Sequence, residues 1–279
     1  MDPYLEGTDC SSACHCSAVL PMMVFDVMTD ITDNVPSIAL ITGANRGIGN
    51  AIAGRLAALG MTVLLGSRDP RRSADAARAL RDVGGDVVPI TIDVTDQASV
   101  NDAAKTVEDM YGRLDVLVNN AGVSGVPSPL TPSGADLDVV RAVFETNFFG
   151  VVAVTNAMLP LLRRSRAARI VNMSSEIGSL ASMSDPNHYM SKLPAQAAYP
   201  PSKTALNSLT VQYAKELRGA GILVNACSPG PCATDFTKHL GLPLTRTADD
   251  GAAIAVRLAT LADDGPTGGF FDDNGTLRW

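Results

Sequence analysis

The chain has 279 residues, of which 46% are hydrophobic and 18% charged, so it contains ample material for a buried core. Its net charge of −7 argues against a nucleic-acid-binding protein, which needs a basic face, but does not exclude a local cationic pocket for an anionic ligand. No apolar run approaches the roughly 18 residues that span a bilayer, and the absence of Lys and Arg before Arg46 argues against a secretory signal or an Arg-rich transit peptide. We therefore expect a cytoplasmic protein without a membrane partner.

The first 36 residues form an N-terminal extension that we predict to be disordered, since chain termini are disordered unless they are tied down. The extension contains Cys10, Cys14 and Cys16 together with His15. Residues 14–16 are consecutive, and no second pair of ligands follows at a spacing typical of zinc. We therefore expect no metal site.

From residue 37 onward, short apolar runs alternate with segments of helical periodicity. The first run, 37–42, is predicted to be a strand, and the helix after it places Ile48, Ile52, Leu56 and Leu59 on one face. Gly60 is predicted to end this helix. Further strands are predicted at 62–66, 87–93, 114–119, 169–174, 222–226 and 269–271. Further helices are predicted at 71–82, 96–111, 135–164, 203–219 and 248–262.

The predicted strands are nearly continuous in apolar residues, which is typical of strands that helices cover on both faces. Alternation of strands and helices implies a parallel sheet with right-handed crossovers. No linker or change of composition interrupts residues 37–279. We therefore predict a single doubly wound α/β domain, with a mostly seven-stranded parallel sheet and helices on both faces.

A glycine-rich turn, T-G-A-N-R-G-I-G at 42–49, joins the first strand to the first helix. Gly43 would allow the turn, Gly47 would let the backbone approach a ligand, and Gly49 would permit close packing. The N–H groups and the dipole of a helix N-terminus suit a pyrophosphate. The spacing differs from the general G-x-G-x-x-G fingerprint, so an ordinary turn between strand and helix is the alternative.

The end of the second strand, G-S-R at 66–68, indicates which nicotinamide cofactor would bind. NAD-binding folds usually carry a carboxylate at this position to hold the ribose 2′-hydroxyl. Arg68 stands there instead, and a guanidinium binds a 2′-phosphate well through paired charge-assisted bonds. Arg46 in the glycine loop would add a second positive charge. These two arginines favour NADPH over NADH, with solvated surface arginines as the alternative.

Tyr199 and Lys203 lie four residues apart, a spacing that places them on one face of a helix. Pro200 and Pro201 are tolerated only in a first helical turn, so the pair should stand at the start of a helix. A neighbouring ammonium would lower the pKa of the tyrosine and make it a usable acid. Tyr189 and Lys192 are three apart in a proline-flanked segment and lack a following helix pattern.

At this point the sequence resembles the short-chain dehydrogenase/reductase family over nearly the whole of residues 37–275. Several motifs stand in the order of that family: T-G-A-N-R-G-I-G at 42–49, Asp93-Val94, N-N-A-G at 119–122, Asn147, Ser174-Ser175, Tyr199 with Lys203, and S-P-G-P-C-A-T at 228–234. The resemblance implies a Rossmann-type fold and a nicotinamide cofactor. Within the family, the chain is most similar to NADPH-dependent single-domain carbonyl reductases with Arg or Lys in the glycine loop.

The resemblance also implies cofactor contacts. Asp93 and the backbone of Val94 would hold the adenine, and Asn120, Ala121 and Gly122 would line the adenosine ribose side. Tyr199 and Lys203 would also contact the cofactor, with the lysine holding the nicotinamide ribose hydroxyls. The remaining contacts would come from the glycine loop and from the segment beside the nicotinamide: Gly43, Asn45, Arg46, Gly47, Ile48, Gly49, Pro229, Gly230 and Thr234.

The resemblance implies four catalytic residues. Ser175 would hydrogen-bond the substrate carbonyl, and it is preferred to Ser174 because the family's catalytic serine is the second of the pair. Tyr199 would donate the proton, with Lys203 as its activator. Asn147, which the family places in a helix kink, would position a water that links the lysine to solvent.

Two features depart from the family pattern. Ser175 and Tyr199 are 24 residues apart, longer than is typical, and the added segment 182–197 contains His188. This insert would either roof the substrate pocket or alter the helix surface that most members use for oligomerisation. The N-terminal 36 residues have no counterpart in the family, and the oligomeric state stays open.

The leading hypothesis is an NADPH-dependent reductase of a ketone or aldehyde. An imine reductase or an alcohol dehydrogenase would use the same site, and a non-catalytic NADP(H)-binding sensor is the alternative from another class. A lid at 232–247 contains Phe236, Leu240, Leu242 and Leu244, which suggests an apolar or aromatic substrate, unless the leucines pack onto the core. His239 in that lid is interpreted as a solvated surface residue.

Overall fold

The computed structural model describes residues 36–125, 131–238, 241 and 243–279. The predictions for the N-terminal extension, including Cys10, Cys14, His15 and Cys16, fall outside these residues. So do those for His239, Leu240 and Leu242.

One sheet organises the described chain, and its strands follow the order β3-β2-β1-β4-β5-β6-β7-β8. All neighbouring strands pair in parallel except β7 and β8, which are antiparallel. The predicted seven-stranded parallel sheet is therefore confirmed, and the additional strand β8 has only two residues. The strands are β1 (Ile38–Ile41), β2 (Thr62–Ser67), β3 (Val87–Thr91), β4 (Val116–Asn119), β5 (Arg169–Met173), β6 (Leu223–Cys227), β7 (Phe270–Asp272) and β8 (Gly275–Thr276).

The helices cover both faces of this sheet. One apolar layer contains side chains of α1, α2 and α8, and the other contains side chains of α3, α5 and α7. None of the helices in the described ranges is long and apolar enough to cross a membrane. The helices are α1 (Gly47–Ala58), α2 (Pro70–Asp82), α3 (Gln97–Tyr111), α4 (Leu137–Phe144), α5 (Gly150–Leu162), α6 (Leu180–Ser184), α7 (Tyr199–Leu217) and α8 (Ala248–Ala259).

Helix α1 shows where the predicted apolar face was right and where it was wrong. Ile52 and Leu56 are fully buried against the sheet, but Leu59 is 59% exposed. The helix ends at Ala58, so Leu59 no longer follows its periodicity, and Gly60 then adopts φ +83°. The prediction that Leu59 shares the buried face is therefore wrong.

The helical stretch predicted at 135–164 is divided by a π-helical turn at Glu145–Phe149. The turn separates α4 from α5, and it contains Asn147, which is fully buried. π-turns inside helices are uncommon and often occur at functional sites. The kink that the family resemblance implies at Asn147 is therefore present.

The strand order reverses at β1, whose neighbours are β2 on one side and β4 on the other. In open parallel sheets, ligands bind outside the carboxyl ends of the strands at this switch point. The glycine loop follows β1, Asn120 follows β4, and the Ser174-Ser175 pair follows β5. The topology therefore brings the predicted cofactor and catalytic segments to one edge of the sheet.

Candidate active site

The glycine loop lies directly on the segment that follows β4. A Cβ atom added to Gly43 would lie 2.9 Å from Cα of Ala121, and one added to Gly49 would lie 2.4 Å from Nδ2 of Asn120. Gly43 also adopts φ +64°, a conformation that favours glycine. The turn predicted at Gly43 and the close packing predicted at Gly49 are therefore both present, although Gly49 packs against an asparagine side chain.

Asn120 holds this loop in place. Its Nδ2 donates to the carbonyls of Thr42 (2.8 Å) and Gly43 (3.2 Å), and its own backbone N–H donates to Thr42 Oγ1 (3.0 Å). The N–H of Ala121 donates to the same hydroxyl. The Asn120 amide nitrogen is thus bonded to the loop itself, which gives the side chain a structural task beyond lining the ribose side.

The N-terminus of α1 differs from the starts of most other long helices. Asp69, Asp96, Asp136 and Thr247 cap α2, α3, α4 and α8 with their side chains. At α1 the N-cap residue is Arg46, whose side chain makes no capping bond, and the first turn contains no acidic residue. The first-turn N–H groups and a Gly47 with φ +59° therefore suit an anionic group such as a pyrophosphate.

Arg46 and Arg68 occupy different surroundings. Arg46 Nη1 contacts Asp235 Oδ2 at 2.9 Å, with both side chains more than 60% exposed, so the Arg46 guanidinium already has a carboxylate partner. Arg68 is exposed just beyond β2. The next carboxylate in the chain, Asp69, caps α2 and pairs with Arg72 at 3.2 Å. Arg68 is thus the better placed cation for a 2′-phosphate.

Asp93 and Val94 follow β3 at the same edge of the sheet. The Asp93 carboxylate accepts bonds from the N–H (3.0 Å) and hydroxyl (2.7 Å) of Thr95, and the Asp93 N–H donates to Ser99. Val94 packs so closely against α5 that a Cβ on Gly150 would lie 2.9 Å from it. This turn is therefore fixed where the resemblance predicts the adenine pocket.

The Tyr199–Lys203 pair stands at the start of α7, as predicted from the two prolines. The helix begins at Tyr199, and Pro200 and Pro201 occupy its first turn. Lys203 is 5% exposed, and its Nζ donates to the carbonyl of Met173 at 2.7 Å. The same Nζ lies 5.6 Å from the centre of the Tyr199 ring. The end of β5 and the first turn of α7 therefore meet at these two residues.

Burial dominates the protonation of this pair. It raises the pKa of Tyr199 to about 12, and a hydrogen bond with Ser175 only partly offsets this increase. Burial also lowers the pKa of Lys203 to about 8. The expected lowering of the tyrosine pKa by the lysine is thus not found, and desolvation is the larger of the two causes that act on Tyr199.

The two serines after β5 are used differently. Ser174 is buried, and its hydroxyl donates to Asn207 Oδ1 on α7 at 2.5 Å. Ser175 is only partly buried and hydrogen-bonds Tyr199. Ser174 is thus occupied by a bond to α7 whereas Ser175 contacts Tyr199, and the catalytic role that the resemblance implies for Ser175 stays a prediction.

Asn147 fixes the segment after β4 to the start of α7. Its Oδ1 accepts from the N–H of Val123 at 2.9 Å, and its Nδ2 donates to the Val123 carbonyl and to Ser202 Oγ. Ser202 in turn donates to the carbonyl of Tyr199 at 2.7 Å. The Asn147 side chain thus has partners on the segment after β4 and on α7. Its role in holding a water stays a prediction.

Gly178 is a site residue that the sequence motifs did not reveal. A Cβ atom on Gly178 would lie 2.7 Å from the carbonyl carbon of Lys203 and 2.9 Å from the N–H nitrogen of Thr204. The Gly178 carbonyl accepts from Thr204 Oγ1 and from Asn207 Nδ2. The sequence signal that could have identified Gly178 is its position three residues after Ser175, because a glycine there allows the turn to lie against α7.

The insert at 182–197 is anchored to Glu176, the residue that follows Ser175. Tyr189 Oη donates to Glu176 Oε2 at 2.8 Å, and His188 Nε2 lies 3.4 Å from Glu176 Oε1. Burial and the Glu176 carboxylate raise the pKa of Tyr189 to about 12. The sequence did not single out Glu176. The insert therefore contacts the turn after Ser175, while both roles considered for it stay predictions.

The segment after β6 lies opposite the glycine loop. Pro229 and Gly230 follow this strand, and Gly230 adopts φ +69°. A Cβ on Gly47 would lie 3.9 Å from the Thr234 side chain, so Thr234 faces the glycine loop. Phe236 in the predicted lid packs on Tyr199 with ring centres 5.6 Å apart, and Leu244 is half-buried. Thr234 thus lies beside the glycine loop and Phe236 beside Tyr199, while the nicotinamide contacts expected of Pro229, Gly230 and Thr234 stay predictions.

The protein is an α/β protein of the doubly wound, dinucleotide-binding class. Three features define this class here: the sheet order, the turn after β1 and the arrangement of Ser175, Tyr199 and Lys203. The model of the short chain dehydrogenase family matches residues 37–243. The chain therefore belongs to the short-chain dehydrogenase family of oxidoreductases.

Individual relatives agree with this assignment. The short-chain dehydrogenase anuI of Penicillium roqueforti is 37% identical over 246 residues, which cover 86% of this chain and 95% of that protein. The structure of NADPH-bound carbonyl reductase from chicken fatty liver is similar with a TM-score of 0.75 at 28% identity, covering 88% of this chain and 100% of that one. The NADP complex of Pseudomonas aeruginosa RhlG is similar with a TM-score of 0.73 at 33% identity, covering 85% and 94%.

Proposed function

We propose that the protein is an NADPH-dependent reductase that converts a ketone or aldehyde to an alcohol, with Tyr199 as general acid. The observation that carries this proposal is the meeting of Tyr199, Ser175 and Lys203 at the edge of the sheet where the glycine loop lies. Structures similar to this chain are described as bound to NADPH or NADP, which supports the choice of cofactor.

The residues present fit a phosphorylated dinucleotide. The first turn of α1 would accept the pyrophosphate, since Arg46 leaves it without a side-chain cap. Arg68 would bind the 2′-phosphate, and Lys203 would hold the ribose beside the nicotinamide. A bound reduced nicotinamide would supply the hydride to the carbonyl carbon.

The protein's own groups act on the carbonyl oxygen. Ser175 donates a hydrogen bond toward the negative charge that develops there, and Tyr199 gives up its phenolic proton to the same oxygen. A pKa of about 12 keeps Tyr199 protonated at neutral pH, which is the form that a reductase needs.

The surroundings of Tyr199 support an apolar or aromatic substrate. Phe236 packs on its ring and keeps 38% of its surface exposed, which leaves an aromatic face available beside the acid. The aromatic face would contact the part of the substrate next to the carbonyl.

The test is NADPH oxidation with a panel of aliphatic and aromatic ketones and aldehydes, for the wild type and Tyr199→Phe. We expect the variant to lose at least about a hundredfold in kcat, because general acid catalysis is worth that much or more. Tyr213→Phe is a matched control on the same helix, since that hydroxyl bonds Asn156 on α5. Equal turnover by wild type and Tyr199→Phe would contradict the mechanism, and binding of NADPH without turnover of any carbonyl would favour a sensor.

A further inference from the structure

The loop between β6 and α8 carries Pro229, Gly230 and Thr234, which the proposed function places beside the nicotinamide. Its first residue is fixed by the sheet: the Ser228 N–H donates to the Phe271 carbonyl at 2.8 Å, and Ser228 Oγ accepts from the N–H of Glu176. The backbone from Pro229 onward needs other support, because β6 ends at Cys227.

Arg246 supplies that support from the far end of the same loop. Its Nε donates to the carbonyl of Pro229 at 2.8 Å, and its Nη2 donates to the carbonyl of Asp250 at 2.9 Å. The same Nη2 is bonded to the carboxylate of Asp273, in the turn between β7 and β8. One guanidinium therefore joins the start of the loop, the first turn of α8 and the C-terminal hairpin.

The backbone of Arg246 also binds the loop, and the loop has a glycine where the guanidinium lies. The Ala233 N–H donates to the Arg246 carbonyl at 2.7 Å, so both the backbone and the side chain of Arg246 bind the loop. A Cβ atom on Gly230 would lie 3.3 Å from Arg246 Nε. The guanidinium thus packs against the loop where Gly230 has φ +69° and no side chain.

We propose that Arg246 is a positioning residue that fixes the Pro229 carbonyl, and with it the loop surface on which the nicotinamide half of the cofactor lies. This inference rests on the proposed function, since it concerns NADP(H) binding. The Arg246 side chain bonds Pro229, Asp250 and Asp273. None of these three is among the residues predicted to hold the adenosine half, so loss of Arg246 should weaken the nicotinamide half of the site and leave the adenosine half intact.

Lysine would not replace Arg246. Its single ammonium could pair with Asp273, but the planar fork of arginine reaches three acceptors in fixed directions. Arg246→Lys is therefore expected to keep the tie to the hairpin and lose the bond to Pro229. Arg246→Met keeps much of the aliphatic stem and loses both the bond to Asp273 in the hairpin and the bond to Pro229.

The experiment measures binding of NADP⁺ and of adenosine 2′,5′-bisphosphate, which lacks the nicotinamide, to the full chain by calorimetry. For Arg246→Met we expect the Kd of NADP⁺ to rise about tenfold, as for loss of one hydrogen bond to a charged group. The Kd of the bisphosphate should stay unchanged. Arg246→Lys should also weaken NADP⁺ binding and leave the bisphosphate unaffected.

Arg257→Met is the matched control for stability. Arg257 Nη2 donates to the Asp272 carbonyl at 2.6 Å, so it joins α8 to the same hairpin. We expect this variant to lower the Tm, as Arg246→Met does, without changing the Kd of NADP⁺.

Three results would overturn the inference: an unchanged Kd of NADP⁺ in Arg246→Met, an equal weakening of both ligands, or an equal loss of NADP⁺ affinity in Arg257→Met. Failure of the NADP(H) binding on which the inference rests has a different signature, because the wild type itself would then bind neither NADP⁺ nor the bisphosphate.

Discussion

The catalytic end and the cofactor rim of the site are held in different ways. Asn147, Ser202 and Lys203 are at most 5% exposed, and each side chain bonds the backbone or another buried side chain. At the rim, the side chains of Arg46 and Asp235 are 64% and 63% exposed and are joined by one ion pair. Burial thus fixes the groups that would do the chemistry, while solvent screens the groups that would meet the phosphates.

The difference implies different responses to substitution. A buried polar group is costly when it loses a partner, so changes at the catalytic end should affect both activity and stability. An exposed ion pair contributes little to stability, so changes at the rim should affect only binding of an anionic ligand. Four predictions test this contrast, beginning with the largest effect.

Lys203→Met should reduce turnover by at least about a thousandfold, because the ammonium beside Tyr199 is lost. The same variant should be more stable than the wild type at pH 7, by about 2 kcal/mol, since it removes a buried charge at the expense of one hydrogen bond. Urea unfolding of both proteins measures this difference.

The gain in stability should depend on pH. Burial lowers the pKa of Lys203 from 10.5 to about 8, so below pH 8 both folded and unfolded chains hold the proton and the penalty is complete. Between about pH 8 and 10.5 the folded wild type releases the proton first, and its stability should rise relative to the variant. A pH-independent difference, or a less stable variant at pH 7, would contradict the assignment of a buried, desolvated lysine.

Gly178→Ala should lower kcat by about ten- to a hundredfold and the free energy of unfolding by about 1–3 kcal/mol. The added methyl would meet the backbone of Lys203 and Thr204, so the first turn of α7 must shift. Gly219→Ala is the control, because a Cβ there meets nothing within 4 Å. If both variants behave like the wild type, the turn after Ser175 does not set the position of Lys203.

Arg68→Ala should lower kcat/KM for NADPH by about ten- to thirtyfold while leaving kcat/KM for NADH nearly unchanged, since only NADPH carries the 2′-phosphate. Arg78→Ala on α2 removes another exposed arginine, paired with Asp75, and should change neither value. Equal losses with both cofactors would show that Arg68 supports the fold of the β2–α2 turn and does not discriminate between them.

The contrast between interior and rim also explains what could be predicted from the sequence. Buried strands and the Tyr199–Lys203 helix start follow from local patterns, namely apolar runs and two prolines in a first turn. Gly178 and Arg246 act through contacts between segments distant in sequence, and such contacts leave no local periodicity.

One error and one open prediction concern the surroundings of a titratable or charged group. The direction of the pKa shift of Tyr199 required knowledge of burial, because desolvation raises this pKa and is only partly offset by the hydrogen bond with Ser175. The role expected for Arg46 toward the 2′-phosphate stays a prediction, and no local pattern revealed its partner Asp235, which lies 189 residues further along the chain. Sequence spacing identifies which groups are present, whereas the balance of their interactions depends on the folded surroundings.

Asp235→Asn should have the smallest effect, an increase in NADP⁺ affinity of no more than about fivefold at low salt. The substitution frees Arg46 from its carboxylate partner and removes a negative charge close to the glycine loop. The gain should disappear near 1 M salt, where the Debye length is about 3 Å. Asp75→Asn, which breaks the comparable exposed pair with Arg78, is the control for a change in net charge alone. A fall in NADP⁺ affinity in Asp235→Asn would instead mean that the Arg46–Asp235 pair holds the segment after Thr234 over the bound cofactor. Cofactor binding at the rim would then depend on a fixed contact between side chains, as the catalytic end does.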